Sequence, residues 1–312
     1  MKHLTDITAL TSDEIRPLLD EALRYDRAIS EGDDLRAPLK GLLQFNLFYE
    51  NSTRTSLSFE VAGKRLGADV VAVPVSASSV HKGESLRDTV LTIAAQGASI
   101  LVLRASGAGT IDATRTVLRE NGYATGIINA GEGAFGHPTQ ALLDAATLLK
   151  AFRRTPEQGL KGISIAIIGD LLHSRVAASC TPLFASLGAE VRLCGPRDLL
   201  PHRAPAGAAF VTADRNEALH EADVVMALRI QRERFDENLT IDVASYRQDY
   251  GITMEALSFA KPGAFVMHPG PMNRDVEIDG DVADDRSRSL ILDQVAMGVP
   301  TRMAVLRYAA GR

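Results

Sequence analysis

Residues 42–66 read LLQFNLFYENSTRTSLSFEVAGKRL, and this stretch decides the fold class. Residues 42–49 are a short apolar run of strand length, and residues 53–66 carry apolar side chains at helical spacing. A strand that passes so directly into a helix opens a βαβ unit, and the same alternation continues outward from it. Strands are predicted at 69–75, 99–103 and 125–129, with helices at 85–95, 113–121 and 138–152. The second half repeats the pattern, with strands at 164–169, 190–194, 208–211, 223–227 and 264–268. The expected class is α/β: two doubly wound parallel-sheet domains with helices on both faces.

The polar stretch 153–162, which holds Pro156, Gly159 and Gly162, follows a long helix and precedes a new strand. It predicts a boundary between a first domain at 1–152 and a second at 153–288. Residues 289–312 read as a C-terminal helix, expected to pack back on the first domain. No fixed-period repeat is visible, which sets solenoids and propellers aside.

Composition narrows the function classes. The chain has 312 residues, of which 46% are hydrophobic and 23% charged, a balance that suits a globular protein with a substantial core. Its 34 Lys and Arg against 39 Asp and Glu leave a formal charge of −5, a poor match for a nucleic acid. The longest apolar stretch between charges, 89–103, is shorter than the ~20 residues of a membrane helix and is broken by Gln96, Gly97 and Ser99, so no membrane partner is expected. The start, MKHLTDITAL, lacks the apolar core of a secretion signal, and a cytoplasmic location is expected. Cys180 and Cys194 are the two cysteines, too few for a disulfide framework or a four-thiolate zinc site, and are expected to be buried free thiols. The seven His residues form no H-E-x-x-H pattern, and no metal is implied.

The chemistry concentrates at strand ends. After the strand at 42–49 come Glu50, Asn51, Ser52, Thr53, Arg54 and Thr55. Free N–H groups at the helix start, three hydroxyls and a guanidinium make a cradle for an anion such as phosphate. The alternative is that Ser52 or Thr53 is only an N-cap and Arg54 a solvated cation. Other polar clusters follow other strands: Arg104; Gly136 to Gln140; Asp170 to Arg175; Arg229 and Gln231; His268 to Arg274. Gly131-Glu132-Gly133-Ala134-Phe135-Gly136 formally fits the G-x-G-x-x-G of a nicotinamide-dependent dehydrogenase. Against that reading, Glu132 would put a carboxylate into the pyrophosphate loop, and the unit lies in mid-domain.

Taken in order, these motifs resemble the aspartate/ornithine carbamoyltransferase family over essentially the whole chain. Ser52-Thr53-Arg54-Thr55 matches its first signature and His137-Pro138-Thr139-Gln140 its second. Lys82-Gly83-Glu84-Ser85, Arg104, Arg229 with Gln231, and His268-Pro269-Gly270-Pro271 match in sequence order. Within the family the aspartate branch is favoured. Phe48-Tyr49-Glu50-Asn51 precedes Ser52 where ornithine enzymes carry a Lys, and Thr139 and Pro269 stand where those enzymes have Cys. Arg175 and Arg229 also suit a substrate with two carboxylates.

The resemblance implies transfer of a carbamoyl group from carbamoyl phosphate to the amine of L-aspartate, a step of de novo pyrimidine biosynthesis, with ornithine or another amino acid as the alternative acceptor. It implies that 1–152 is the carbamoyl phosphate-binding domain, that the active site lies in the interdomain cleft, and that carbamoyl phosphate is held by Ser52, Thr53, Arg54, Thr55, Arg104, His137 and Gln140 together with Gly270 and Pro271 of the second half. Residues 153–288 would bind aspartate through Arg175, Arg229 and Gln231, with Lys82 contacting both substrates. Arg54, Thr55, Lys82, Arg104 and His137 are the implied catalytic set. For His137, read from the sequence alone, a structural role beside a helix start stays equally open. The resemblance further implies a homotrimer whose sites are shared between subunits, a possible larger assembly with regulatory or dihydroorotase-type chains, and no cofactor. An inactive phosphate-binding scaffold is the non-enzymatic alternative, and the full residue set speaks against it.

Overall fold

In the computed structural model, which describes residues 1–73, 83–231 and 242–312, the chain divides into two units. One comprises Met1–Ala146 and Val295–Arg312, the other Thr147–Gln294.

The first unit opens with β1 (His3–Leu4), α1 (Ser12–Glu31), β2 (Leu43–Phe48), α2 (Thr53–Arg65) and β3 (Asp69–Val73). It continues through α3 (Leu86–Ala95), β4 (Ile100–Ala105), α4 (Thr110–Glu120), β5 (Gly126–Glu132) and the start of α5 (Pro138–Ala151). Its parallel sheet has the order β1-β5-β4-β2-β3. Alternation along β2 explains the layers. Phe45 and Leu47 join a core with Val90, Ile93 and Ala94 of α3 and Ile111 and Leu118 of α4. Gln44, one residue before Phe45, points to the opposite side, where its amide nitrogen donates to Phe59 O of α2 at 3.0 Å. Ile100 to Leu103 in β4 are all fully buried, each contributing about 1.5–3 kcal/mol relative to exposure.

The second unit contains β6 (Ser164–Ile168), α6 (Arg175–Ser186), β7 (Glu190–Cys194), β8 (Ala208–Thr212) and α7 (Arg215–Leu219). After these come β9 (Val224–Ala227), α8 (Val243–Tyr250), β10 (Phe265–Met267) and α9 (Gly280–Asp284). Its parallel sheet runs β10-β9-β6-β7-β8. Ala166, Ile168, Val225, Ala227 and Val266 pack on Ala218, Leu219, Leu257 and Val282. The last helix, α10, spans Ile291–Ala310.

The two parallel sheets agree with the expected α/β class. Several bounds move by up to three residues: β5 runs on to Glu132, and β4 to Ala105, so Arg104 lies inside its strand instead of after it. The cause is continued pairing, since Phe48 and Arg104 are register partners and Tyr49 N donates to Arg104 O at 2.9 Å. β1, α1, α7, α8 and α9 are additions to the sequence reading. The signal for α1 was present in Thr11 and Glu14, which form a capping box, and in Gly32, which ends the helix at φ +80°. Cys180 and Cys194 are free and buried, and desolvation pushes the Cys194 thiol up to about 12. Among the described residues no helix is long and apolar enough to cross a membrane.

Candidate active site

In the first sheet β3 lies on one side of β2 and β4 on the other, so chain direction reverses across the sheet between β2 and β4. Open α/β sheets bind ligands at such a switch point, beyond the carboxyl ends of the strands. Ser52 to Thr55 follow β2 there. Ser52 occupies the N-cap position of α2 in extended conformation, yet its side chain makes no capping hydrogen bond and the first turn holds no acidic residue. The simple capping role is thereby unfilled. Thr53 and Arg54 are exposed, Thr55 is buried, and partial desolvation lowers the Arg54 pKa from its ordinary value.

Adjacent strands bring in the remaining groups. Arg104 Nη1 donates to Ala130 O at 3.2 Å, and its Nε lies 3.4 Å from Glu50 Oε2, which ties the guanidinium to the loop before Ser52. β5 leads through a tight loop to His137 and Pro138, and proline is well placed at the first helical position because it has no N–H to satisfy. His137 is buried, with Nε2 3.5 Å from Thr55 Oγ1 and Nδ1 3.4 Å from Thr139 Oγ1. Gln140, also buried, donates through Nε2 to Asp144 Oδ1 at 2.9 Å. The G-x-G-x-x-G loop serves the architecture of the sheet edge. Ile111 N donates to Glu132 Oε1 at 3.0 Å, so the carboxylate caps α4, and Glu132 bridges back to Gly136.

The second sheet has its own switch point between β6 and β9. Gly169, at φ +140°, ends β6, and a Cβ there would stand 2.6 Å from Leu228 O, so the close approach of the two strand ends needs glycine. Asp170 follows, fully buried, accepting from His173 N at 3.1 Å and Gln231 N at 3.3 Å. Gln231 Nε2 donates to His173 O at 2.9 Å. Ser174 caps α6, placing the buried Arg175 in its first turn. Arg229 follows β9 and is half-buried.

The turn after β10 is held by a buried pair. Gly270 N donates to His268 Nδ1 at 2.8 Å, so the ring proton resides on Nε2, which donates to Glu277 Oε1 at 3.1 Å. Asn273 N donates to the same carboxylate oxygen at 2.6 Å. These bonds fix the backbone of Gly270 and Pro271, whose peptide is cis. Arg274 instead points to Asp284, with bonds of 2.7 and 2.8 Å.

Thus Ser52 to Thr55, Arg104, His137 and Gln140 come together in one unit; Arg175, Gln231 and Arg229 follow neighbouring strands of the other. Lys82 lies outside the described residues. The sequence reading named Glu50 without giving it a partner in the site, and passed over Asp144 and Glu277. Spacing held a signal for Asp144, which is one helical turn after Gln140, whereas Glu277 is nine residues from His268 and had none.

Comparison with known proteins agrees with this layout. Residues 2–150 match the model of the aspartate/ornithine carbamoyltransferase carbamoyl-P binding domain, and residues 161–309 that of the Asp/Orn binding domain. An aspartate carbamoyltransferase catalytic subunit from Roseobacter denitrificans is 47% identical over 98% of this chain and 94% of its own length. One from Caulobacter vibrioides is 48% identical over 98% and 89%. Among solved structures, aspartate transcarbamoylase from Trypanosoma cruzi in complex with carbamoyl phosphate superposes with a TM-score of 0.86 at 32% identity, covering 98% of this chain and 95% of that one. With this layout, both domain models and relatives close to half identical over nearly the full length, the chain belongs to the aspartate/ornithine carbamoyltransferase family.

Proposed function

We propose that this chain is an enzyme that transfers the carbamoyl group of carbamoyl phosphate to the amine of L-aspartate, giving N-carbamoyl-L-aspartate and phosphate in pyrimidine biosynthesis. The observation that carries the reading is the uncapped Ser52–Thr55 helix start, with Arg104 on the adjacent β4 and His137, from the loop after β5, beside Thr55. Relatives sharing this architecture are named for the aspartate reaction, and the Trypanosoma cruzi enzyme has been crystallised with carbamoyl aspartate and phosphate.

In this reading 1–152 holds carbamoyl phosphate. Arg54, the hydroxyls of Ser52 and Thr53 and the start of α2 neutralise the phosphate. Thr55, Arg104 and His137 surround the carbonyl oxygen, where charge grows as the amine attacks and a tetrahedral intermediate forms; one such donor is worth on the order of 3 kcal/mol. Gln140 and the carbonyls of Gly270 and Pro271 accept from the carbamoyl NH₂. Within 153–288, Arg175, Arg229 and Gln231 hold the aspartate carboxylates, and Lys82 contacts both substrates. The phosphate leaves with its charge already matched, and it takes the proton of the amine itself. Residues 289–312 complete the first domain.

A homotrimer with shared sites is part of the proposal. In its support, β3 is a sheet edge with Val71 37% exposed, and α2 next to it exposes Leu57 at 55% and Val61 at 40%, more apolar surface than one copy needs. A cytoplasmic setting and a larger assembly with regulatory or dihydroorotase-type chains belong to the same reading. The test is phosphate release from carbamoyl phosphate with aspartate or with ornithine, paired with a sizing measurement. Turnover with aspartate and a trimeric mass are expected. Binding of carbamoyl phosphate without product at high aspartate would leave only a scaffold.

A further inference from the structure

Asp144 is the one charged side chain among the buried residues of α5, and it is fully buried. It accepts from Gln140 Nε2 at 2.9 Å. A carboxylate can only accept, so this bond fixes which way the Gln140 amide faces, with Nε2 toward Asp144 and the carbonyl oxygen Oε1 on the other side of the amide as the acceptor offered to a ligand. An isolated buried carboxylate is costly, and its charge is felt by a buried cation on another helix. Arg302 of α10 is 3% exposed; its Nη1 donates to Gly298 O at 3.2 Å, and its guanidinium carbon lies 5.2 Å from the centre of the Phe59 ring of α2. Burial pulls the Arg302 pKa down to about 9, and the negative charge of Asp144 opposes that pull. α10 meets the other helices at Gly298. A Cβ there would come within 3.9 Å of Leu143 on α5 and of Ser58 on α2, and within 2.7 Å of Arg302 Nη1.

We propose that Asp144 is a positioning residue that turns the Gln140 amide so that its carbonyl oxygen meets the substrate, with Arg302 as its counter-charge. The proposal rests on the reading of Gln140 as a carbamoyl phosphate ligand, and it adds a source of donor specificity. An acceptor oxygen bonds the NH₂ of carbamoyl phosphate and has nothing to bond in acetyl phosphate, where a methyl group replaces it. A freely turning amide would lose this discrimination.

The test is steady-state kinetics of the full chain with carbamoyl phosphate and with acetyl phosphate, aspartate being the acceptor. In Asp144→Asn the ratio of kcat/KM for carbamoyl over acetyl phosphate is expected to fall by about tenfold, with the aspartate KM changed less than about threefold. Arg302→Met and Gly298→Ala, which remove or displace the counter-charge from a different helix, lower the ratio in the same direction. A packing defect alone depresses both donors together, so an unchanged ratio in a folded Asp144→Asn protein overturns the proposal. If that variant does not fold, an unchanged ratio in Gly298→Ala overturns it instead. Gln140→Ala separates the two layers. A wild-type carbamoyl phosphate KM there removes the ligand reading and the proposal with it. A raised KM beside an unaltered ratio in Asp144→Asn removes the positioning role alone.

Discussion

Thr55 Oγ1 and His137 Nε2 stand 3.5 Å apart, although 82 residues separate them in the chain. The distance is long for a hydrogen bond, so neither group is saturated by the other and both can turn to a third atom between them. Parallel pairing of β2, β4 and β5 creates the juxtaposition, because it sets the helix that follows β2 beside the loop that follows β5.

Thr55→Ala removes one of these donors while leaving a buried site of similar shape. We expect kcat/KM for carbamoyl phosphate to fall by about tenfold to a hundredfold, and Thr55→Ser to recover most of it. Equal losses in the Ala and Ser variants would point to packing of the methyl group instead of the hydroxyl.

Asp223 links the start of β6 to the segment before β10. Burial raises its pKa, but the hydrogen bond from Lys261 Nζ at 2.8 Å and those from Ser164 N and Oγ at 2.9 and 3.0 Å outweigh burial, and the net shift is downward. A carboxylate with a lowered folded-state pKa stabilises fully above its unfolded value of about 3.9 and loses that contribution as pH falls through the folded value. Asp223→Asn should therefore lower the melting temperature at pH 7, by the equivalent of about 1 kcal/mol given the partial exposure of Lys261. The gap to the parent protein should close as the pH is taken down past the carboxylate range. A gap that stays constant with pH contradicts the assignment.

Gly63 sits inside α2, where alanine ordinarily helps a helix by up to about 1 kcal/mol. Here a Cβ would stand 2.1 Å from Gln44 Oε1 and 2.7 Å from Val70 Cγ2, both packed under the helix. Gly63→Ala should lose about 1–3 kcal/mol by overpacking, measured as a fall in denaturant midpoint. A rise would show that Gln44 can move aside.

Both thiols should be silent in the native state. Cys180 and Cys194 are fully buried, and burial pushes the Cys194 thiol up to about 12, so neither sulfur is within reach of a reagent in the folded chain. A chromogenic disulfide reagent is expected to titrate essentially no thiol in native protein and two in denaturant. A fast native reaction would place one of them at the surface.

The local sequence determined the order and type of most elements, because apolar runs of strand length and helical spacing are short-range signals that burial in a parallel sheet then reinforces. It also marked Ser52 to Thr55, Arg104, His137 and Gln140 as candidates, since ligand groups at strand ends follow directly from that pattern. It missed β1, whose two residues carry no periodicity, and α1, whose capping box at Thr11 and Glu14 was readable. Tertiary structure alone decided the rest. Whether Arg104 meets Glu50, whether Glu277 holds His268 and whether Arg302 of α10 lies buried with Phe59 of α2 depends on strand order and helix packing. Those contacts join residues from 9 to 243 positions apart, and no spacing rule in a chain predicts which distant charge will be buried against which.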